Sequence, residues 1–497
     1  MKLEEKSFNE ICDILLTRRD EYGEIYLVGG YLRDQLLNKF NKDLDFVVIK
    51  NSKKAAREVA NYFGGDYYIL DEERETARAL ITLENQLFIV DVALINGENI
   101  FDDLKKRDFT INAIAVNLTE PEIIIDPLGG ESDLQQKKLQ LCSESSLIDD
   151  PIRTLRAIRF IQSLSLEYEP NIKSALINAS KNLTSISAER IRDELCQVLS
   201  LPDLDRSYKL LEEFGILAQV FPELINIEDI LPEFPHVNNV LTHSLRLVEL
   251  VRFFMDSILK TTEVNENKFL RDVQSLIENY KNPLNEYSKN FIKSKFSINS
   301  LLALAGLFHD SSKLNISPVK DSGKTKYPNH AENSTEIVKT RMKKLAFSNE
   351  EIDFVKTIIK FHMSPYLKLI SENEKPNRSI YQYFLETKDL GVMIGLFHAA
   401  DIIATYEETL TSNRWMSVMK FLDRIMDGWF NHFNDVISPT LLLNGNELIT
   451  EFGLHPGREI GQILKKIREE QAAGLLHEKK SALDYAMKMI NEMKKDE

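Results

Sequence analysis

The chain has 497 residues, of which 43% are hydrophobic and 28% charged, and its formal net charge is −15. Such a length suggests about three domains, and the balance of apolar and charged residues excludes a disordered chain. The acidic excess excludes nucleic-acid binding over the whole surface, because neutralising phosphates takes clustered Lys and Arg; only a local basic groove is left open.

No apolar run approaches the roughly 20 residues that span a bilayer, and the opening Met-Lys-Leu-Glu-Glu-Lys lacks the basic and apolar regions of a secretory leader. A cytoplasmic protein with no membrane partner is expected. Cys12, Cys142 and Cys196 are odd in number and fall in no CxxC spacing, so they read as core thiols rather than as a disulfide framework or a zinc ribbon. In chain order, short β-rich runs come first: Ile25 to Val28, Leu44 to Ile49, Tyr67 to Leu70, Leu87 to Leu94 and Ile114 to Leu118. They alternate with helix-compatible stretches such as Lys53 to Tyr62. This predicts an α/β head over residues 1–140. After Pro151 apolar residues recur at three- and four-residue spacing almost to the C-terminus, which predicts helices throughout. Pro232 and Pro235 mark a boundary, so the helical part divides into a neck at 141–230, a domain at 231–430 and a tail at 431–497. The charged, Asn-rich stretch from Thr261 to Lys293 reads as a helical insertion or a mobile connector.

The run Leu27-Val28-Gly29-Gly30-Tyr31-Leu32-Arg33-Asp34 places a glycine pair between a strand and a helix, with Arg33 about one turn on. Bare backbone N–H groups at a helix N-terminus suit a phosphate, and Arg33 adds a charge-assisted contact. Alone, such a pair is more readily a plain tight turn. Asp43-Leu44-Asp45 opens the next strand, whose period of two sends both carboxylates to one side, as a shared divalent-metal site needs. Asp91 lies in the apolar run Ile89-Val90-Asp91-Val92, where a lone charge is costly unless paired or metal-bound; it is a candidate third carboxylate. Two metals held in this way would activate a 3′-hydroxyl and stabilise a departing pyrophosphate. The reaction class is then phosphoryl or nucleotidyl transfer.

At these residues the chain resembles the class II tRNA nucleotidyltransferase and bacterial poly(A) polymerase family, whose head is DNA polymerase β-like. Leu27 to Ile49 resembles its first motif. Lys106-Arg107-Asp108-Phe109-Thr110-Ile111-Asn112-Ala113 resembles its second, with Lys106 where the family usually has Arg, and the resemblance implies that Arg107, Asp108 and Asn112 contact ribose and phosphates. Asp126-Pro127-Leu128-Gly129-Gly130 is similar to a structural turn of the family.

Asp149-Asp150-Pro151-Ile152-Arg153 opens a helix on which Arg153, Arg156 and Arg159 share one side and Ile152, Leu155 and Ile158 the adjacent core-facing side. Cytosine and adenine each present an amino donor beside a ring-nitrogen acceptor, whereas uracil and guanine present a carbonyl beside a ring N–H. A carboxylate that only accepts and a guanidinium that only donates therefore fit C and A. Asp150 and Arg153 are the candidates, with Arg156 and Arg159 on nucleotide phosphates. The segment resembles the family's Glu-Asp-x-x-Arg amino-acid template, with Asp149 in place of Glu. Ile186-Ser187-Ala188-Glu189-Arg190-Ile191 resembles the last family motif, read as structural.

In the helical middle, His309-Asp310 follows an apolar run, and His243, His330, His362 and Asp401 lie on neighbouring predicted helices. Imidazole and carboxylate groups converging in a bundle core suit a transition metal or Mg²⁺. The ordered set resembles the HD phosphohydrolase superfamily, with His-Asp-Ser-Ser-Lys where His-Asp-Ile-Gly-Lys is usual. That resemblance implies His243, His309, Asp310 and Asp401 as primary ligands, with His330 and His362 extending the site to a second metal. Gly445 to Ala486 resembles the nucleotidyltransferases' helical tail.

The fold so implied is an α/β polymerase β-like nucleotidyltransferase head, an all-α neck and body, and an α-helical HD domain. The implied function is template-independent addition of C and/or A from CTP and ATP to the 3′ end of tRNA. Mg²⁺ would serve the head and a divalent metal of unspecified identity the HD site, with the oligomeric state left open. Alternatives are a CC-adding or an A-adding enzyme only, a poly(A) polymerase, and an HD phosphohydrolase with a regulatory head. The mixed charge of the tail disfavours the poly(A) polymerase, and intact Asp43 and Asp45 disfavour the regulatory head. In the family, a long flexible loop linked to adding the final A often precedes the Arg107 motif; here Leu94 to Leu104 is short, which keeps a division of labour open.

Overall fold

In the computed structural model, which describes residues 2–260, 262–291, 296–321, 324–363 and 366–493, seven strands build the head. They are β1 (Ile25–Val28), β2 (Asp43–Val48), β3 (Asp66–Asp71), β4 (Thr76–Leu83), β5 (Gln86–Leu94), β6 (Ala115–Asn117) and β7 (Ile124–Ile125), in the order β3-β4-β5-β2-β1-β6-β7. All five runs expected to be strands are strands, while β4 and β7 were not foreseen. In β4 the buried positions are Ala77, Ala79 and Ile81, and small alanines give a weak strand signal. Only β2 and β5 pair in parallel, and the chain between them carries a helix, Ser52–Phe63, and the β3–β4 hairpin.

Alternation decides which face is core. Leu44, Phe46 and Val48 of β2 and Phe88, Val90 and Val92 of β5 are buried against Ala55, Ala56, Val59 and Ala60 of the helix Ser52–Phe63, with Ile11 and Leu15 of the helix Lys2–Thr17 in the same cluster. The helix stops at Gly64, whose φ of +65° supplies the left-handed residue that commonly closes a helix. Phe46 is 1% exposed, and its truncation to Ala would cost about 3–5 kcal/mol. The same period of two puts Asp43, Asp45 and Asp91 on the opposite face, away from the helix.

The chain divides into two units, Met1–Glu194 with Arg206–Gln219, and Leu195–Asp205 with Val220–Glu497. The second unit is helical. Val240–Leu259 packs on Ile298–Phe308 so closely that a Cβ on Gly306 would lie 2.3 Å from Val248 Cγ2. Gly391–Tyr406 is buried along nearly its whole length. The segment Asn377–Thr409, which contains it, is long and apolar enough to match a bilayer span, against the expectation from sequence, but 89% of its most apolar window is buried inside the protein. It is a core segment. The stretch after Thr261 contains the helices Lys268–Asn279 and Lys281–Lys289, with Thr261 and residues 292–293 outside the described residues. A hairpin, Val319–Asp321 with Lys324–Lys326, interrupts the expected run of helices. Gly445–Phe452, Arg458–Ala472 and Lys479–Met493 close their own cluster around Leu448, Ile463, Ile467 and Ala482.

Candidate active site and metal centre

Parallel pairing of β2 with β5 sets Asp45 opposite Asp91, and antiparallel pairing of β5 with β4 sets Arg78 opposite Asp91. Three charged side chains thus share one rung, with Asp43 one same-face position away. Burial, the Asp91 charge and, more weakly, the Asp43 charge push the Asp45 carboxyl up to about 6, although Arg107 opposes them. That excess of negative charge fits a divalent cation. Asp91 differs from the pair on β2, for both its oxygens receive the Arg78 guanidinium, at 2.6 and 2.7 Å. Arg78 was not singled out from the sequence.

The glycine turn faces these carboxylates. Gly29 has φ +75°, and a Cβ there would lie 3.1 Å from Arg107 Nη1 and 3.6 Å from Asp45 Oδ2, so only glycine fits without displacing the site. Gly30 starts the helix Gly30–Leu36, on which Arg33 donates to Asn112 Oδ1 at 2.6 Å. Asn112 in turn donates to Asp108 Oδ1 at 3.1 Å. Burial opposes ionisation of Asp108, but Arg156, Asn112 and the Phe109 amide together hold its carboxyl down at about 2. Arg107 gives two 3.1 Å hydrogen bonds to Asp103, a buried carboxylate that sequence reasoning missed. The guanidiniums of Arg33, Arg156 and Arg159 lie 5.1, 5.5 and 4.6 Å from the Phe160 ring, which supports all three.

The helix expected to read the base runs Arg153–Ser163, with Asp150 in extended backbone just before it. Asp150 and the Arg153, Arg156 and Arg190 side chains line a cavity of about 330 Å³ together with Arg107 and Asp108. Asp150 Oδ2 accepts from Arg190 Nη2 at 2.7 Å, while Oδ1 is buried with no partner. Arg153 instead donates to backbone carbonyls, those of Arg107 and Ser146 at 3.0 and 2.9 Å and that of Lys106 at 2.8 Å. Arg156 pairs with Asp108 and Glu194, and Arg159 with Glu194. The Ile186-to-Ile191 segment, expected to be only structural, leads into a helix, Ala188–Leu199, that supplies two partners of this cavity, Arg190 and Glu194. Their four-residue spacing was visible in the sequence, but their targets lie far along the chain.

In the second unit, His243 Nε2 lies 3.2 Å from His309 Nε2 and 3.1 Å from Asp401 Oδ1. Asp310 Oδ2 is 3.3 Å from His309 Nε2, and its other oxygen is 3.4 Å from His330 Nε2. The His362 ring lies 5.0 Å from that of His309 and 5.4 Å from that of His330. All six expected residues converge. Helix ends do the positioning, since His309 and His362 cap Ile298–Phe308 and Asn349–Phe361, while His330 opens His330–Lys344. His309, His330 and His362 each point Nδ1 at a backbone carbonyl, at 2.7, 2.8 and 2.6 Å. Donation there leaves Nε2 as the free lone pair, the orientation of metal-ligating imidazoles. His243 Nδ1, Asp310 Oδ1, His330 Nε2 and His398 Nε2 are buried without a hydrogen-bond partner, so the donor set fits a divalent metal. Burial, and then the neighbouring His309, push His362 down to about 3 and keep it neutral. An adjoining cavity of about 270 Å³ adds His236, Lys313 and His398 to the site. His398 was legible, three residues before Asp401 on one helix face; His236 carried no such signal.

The sheet order, the paired carboxylates on β2 and the glycine turn facing them define a polymerase β-like nucleotidyltransferase head on a helical body. Residues 25–140 match the poly A polymerase head domain, and residues 165–227 a probable RNA and SrmB-binding site of polymerase A. An A-adding tRNA nucleotidyltransferase of Deinococcus radiodurans is 26% identical over 454 residues, 90% of this chain and 91% of that protein. A CC-adding tRNA nucleotidyltransferase of Synechocystis sp. is 24% identical over 93% of each chain, and one of Geobacter sulfurreducens is 38% identical over 38% of this chain and 43% of its own. Among solved structures, a CCA-adding enzyme in an apo form shares the fold with a TM-score of 0.58 at 20% identity, over 97% of this chain and 94% of that one. Over nearly its full length the chain is similar to tRNA nucleotidyltransferases named for adding A or CC, and over residues 25–140 to the poly A polymerase head.

Proposed function

We propose that this protein adds C, A or both, from CTP and ATP, to the 3′ end of tRNA. The observation that carries the reading is the placement of Asp45 beside the Gly29 turn and Arg107, with Asp43 on the same face of β2. Asp43 and Asp45, with Asp91 alongside, would hold divalent metal, Mg²⁺ by preference, which supplies charge to activate the tRNA 3′-hydroxyl and to stabilise the departing pyrophosphate. Gly29, Gly30, Arg33 and Arg107 bind phosphates, while Asp108 and Asn112 fix Arg33 and the ribose. Asp150 offers its free oxygen to the amino group shared by C and A, and Arg153 donates to the neighbouring ring nitrogen after releasing a carbonyl. Arg156 and Arg159 place this helix through Asp108 and Glu194. Incorporation of labelled CTP and ATP into tRNA lacking its 3′ end, with UTP and GTP as competitors, tests the proposal. Equal use of all four nucleotides would reject it.

One observation favours partial addition over the whole CCA. The connection Ile95–Asn99 between β5 and the helix Ile100–Lys105 is short and tied down: the amide of Asn96 donates to Asp103 Oδ1 at 3.0 Å and Lys106 Nζ to Asn96 Oδ1 at 2.9 Å. A loop so fastened is poorly suited to reorganise the site between C and A. The Deinococcus radiodurans and Synechocystis relatives, each aligned along nearly the full chain, are named A-adding and CC-adding.

In the second unit, His243, His309, Asp310 and Asp401 are proposed as ligands of an HD-type divalent-metal site, with His330 and His362 extending it to a second ion. Residues 1–140, 141–230, 231–430 and 431–497 serve in this reading as head, neck, HD domain and tail. A cytoplasmic location goes with a tRNA substrate.

A further inference from the structure

One rung of the head sheet carries, strand by strand, Asp45 on β2, Asp91 on β5, Arg78 on β4 and Tyr68 on β3. The Arg78 fork spans Asp91, Nε to Oδ1 at 2.6 Å and Nη2 to Oδ2 at 2.7 Å. It therefore occupies the lone pairs that a cation shared between Asp45 and Asp91 would use. Arg78 is the only basic residue to pair with Asp91 among the described residues, and its side chain is 30% exposed, so a released guanidinium has water and the edge strand to turn to.

We infer that Arg78 is a built-in competitor of the catalytic metal, neutralising Asp91 while the head is empty and giving up at least one carboxylate oxygen when a divalent cation binds. The inference rests on the nucleotidyltransferase reading of the head. Two negative charges packed on one rung would repel each other without a cation. Arg78 supplies that cation from the chain itself, which keeps the rung in register before metal arrives. The same contact weakens metal affinity, because binding must first break a two-pronged, charge-assisted pair. Tyr68, 40% exposed on the edge strand and hydrogen-bonded to Arg78, is a polar neighbour to which the displaced side chain can turn.

The test is Mn²⁺ binding to the full chain without nucleotide or tRNA, read from the electron paramagnetic resonance signal of the free ion. The head class of sites is the one that Asp45→Asn removes. Arg78→Gln should bind Mn²⁺ in that class roughly three- to tenfold more tightly, the range for losing a part-exposed ion pair of good geometry. Arg78→Lys keeps the charge but cannot fork, and should shift affinity in the same direction by less. If Arg78→Gln does not fold, Arg78→Lys decides alone. Unchanged or weaker head affinity in a folded variant overturns the inference. The readout is metal alone, so a chain that fails to extend tRNA yet shows the shift would retire the tRNA reading and keep this one.

Discussion

Arg190 donates to Asp150 Oδ2 at 2.7 Å and leaves Oδ1 buried with no partner. One oxygen is spent on holding the carboxylate still, and the other remains as the acceptor in the cavity. Arg190→Ala should therefore loosen Asp150 and lower discrimination of CTP and ATP against UTP and GTP by about tenfold, the scale of one good base contact. Arg190→Lys should recover part of it. Four-way nucleotide competition measures both. Unaltered ratios with a normal melting curve would show that Arg190 has no part in selection.

Asp150 and Arg153 should not be equal in effect. Asp150 has an oxygen already free, whereas Arg153 is shared among the carbonyls of Lys106, Arg107 and Ser146. Asp150→Ala is expected to lose more nucleotide discrimination than Arg153→Ala. Arg153→Ala is expected to lose more thermal stability, about 1 kcal/mol, because the part-buried carbonyls of Arg107 and Ser146 lose a donor. Competition assays beside melting curves read the two effects separately, and the reverse ranking would contradict the geometry.

Asp108 should make stability depend on pH in a defined window. Its carboxyl is held at about 2, against an ordinary value of 3.8. A depressed acid stabilises the fold above its unfolded value, and the contribution disappears as pH falls from about 4 towards 2. It amounts to about 2 kcal/mol at neutral pH. Asp108→Asn should thus destabilise the protein at pH 7 and make little difference near pH 2. Denaturant unfolding at the two pH values checks this.

Asp45 has the opposite sign. Pushed up to about 6 from 3.8, it disfavours the metal-free fold once pH rises through that range. Asp45→Asn should raise the melting temperature of metal-free protein at pH 7.5, leave it nearly unchanged at pH 4, and abolish stabilisation by Mg²⁺ in the head. A lower melting temperature at pH 7.5 would mean that the carboxylate is compensated within the chain.

The second unit should take up metal independently of the head. In an Asp43→Asn, Asp45→Asn background, elemental analysis of the full chain should still find bound divalent metal, and His309→Ala should remove it. Four buried polar atoms of the cluster without a hydrogen-bond partner are the reason to expect this. A folded protein that takes up none would leave the cluster without a metal role.

Much of this site is legible in the sequence where chemistry and period coincide. Asp43 and Asp45 share a face because a strand has period two, and His309 with Asp310 follows the apolar run Leu301 to Phe308, which lies in the part of the chain expected to be helical and is a buried helix. The rest depends on partners the sequence does not juxtapose. Arg78 sits on β4, a strand concealed by its alanines, and pairs with Asp91 only through the β4–β5 register. Asp103, Arg190 and Glu194 are ordinary surface-type residues in sequence; they become part of the site because Arg107, Arg156 and Arg159, half-buried by folding, and the buried Asp150 need counter-charges.

The central claim is that the head transfers nucleotides to tRNA through the carboxylates of β2. The most direct measurement extends three tRNAs, ending before the first C, after one C and after CC, with the purified chain and with Asp45→Ala, in CTP, ATP or both. The account predicts growth by defined C or A steps in the intact chain, stopping short of full CCA on at least one acceptor, and loss of extension by orders of magnitude in Asp45→Ala. Extension by Asp45→Ala near the rate of the intact chain would contradict it.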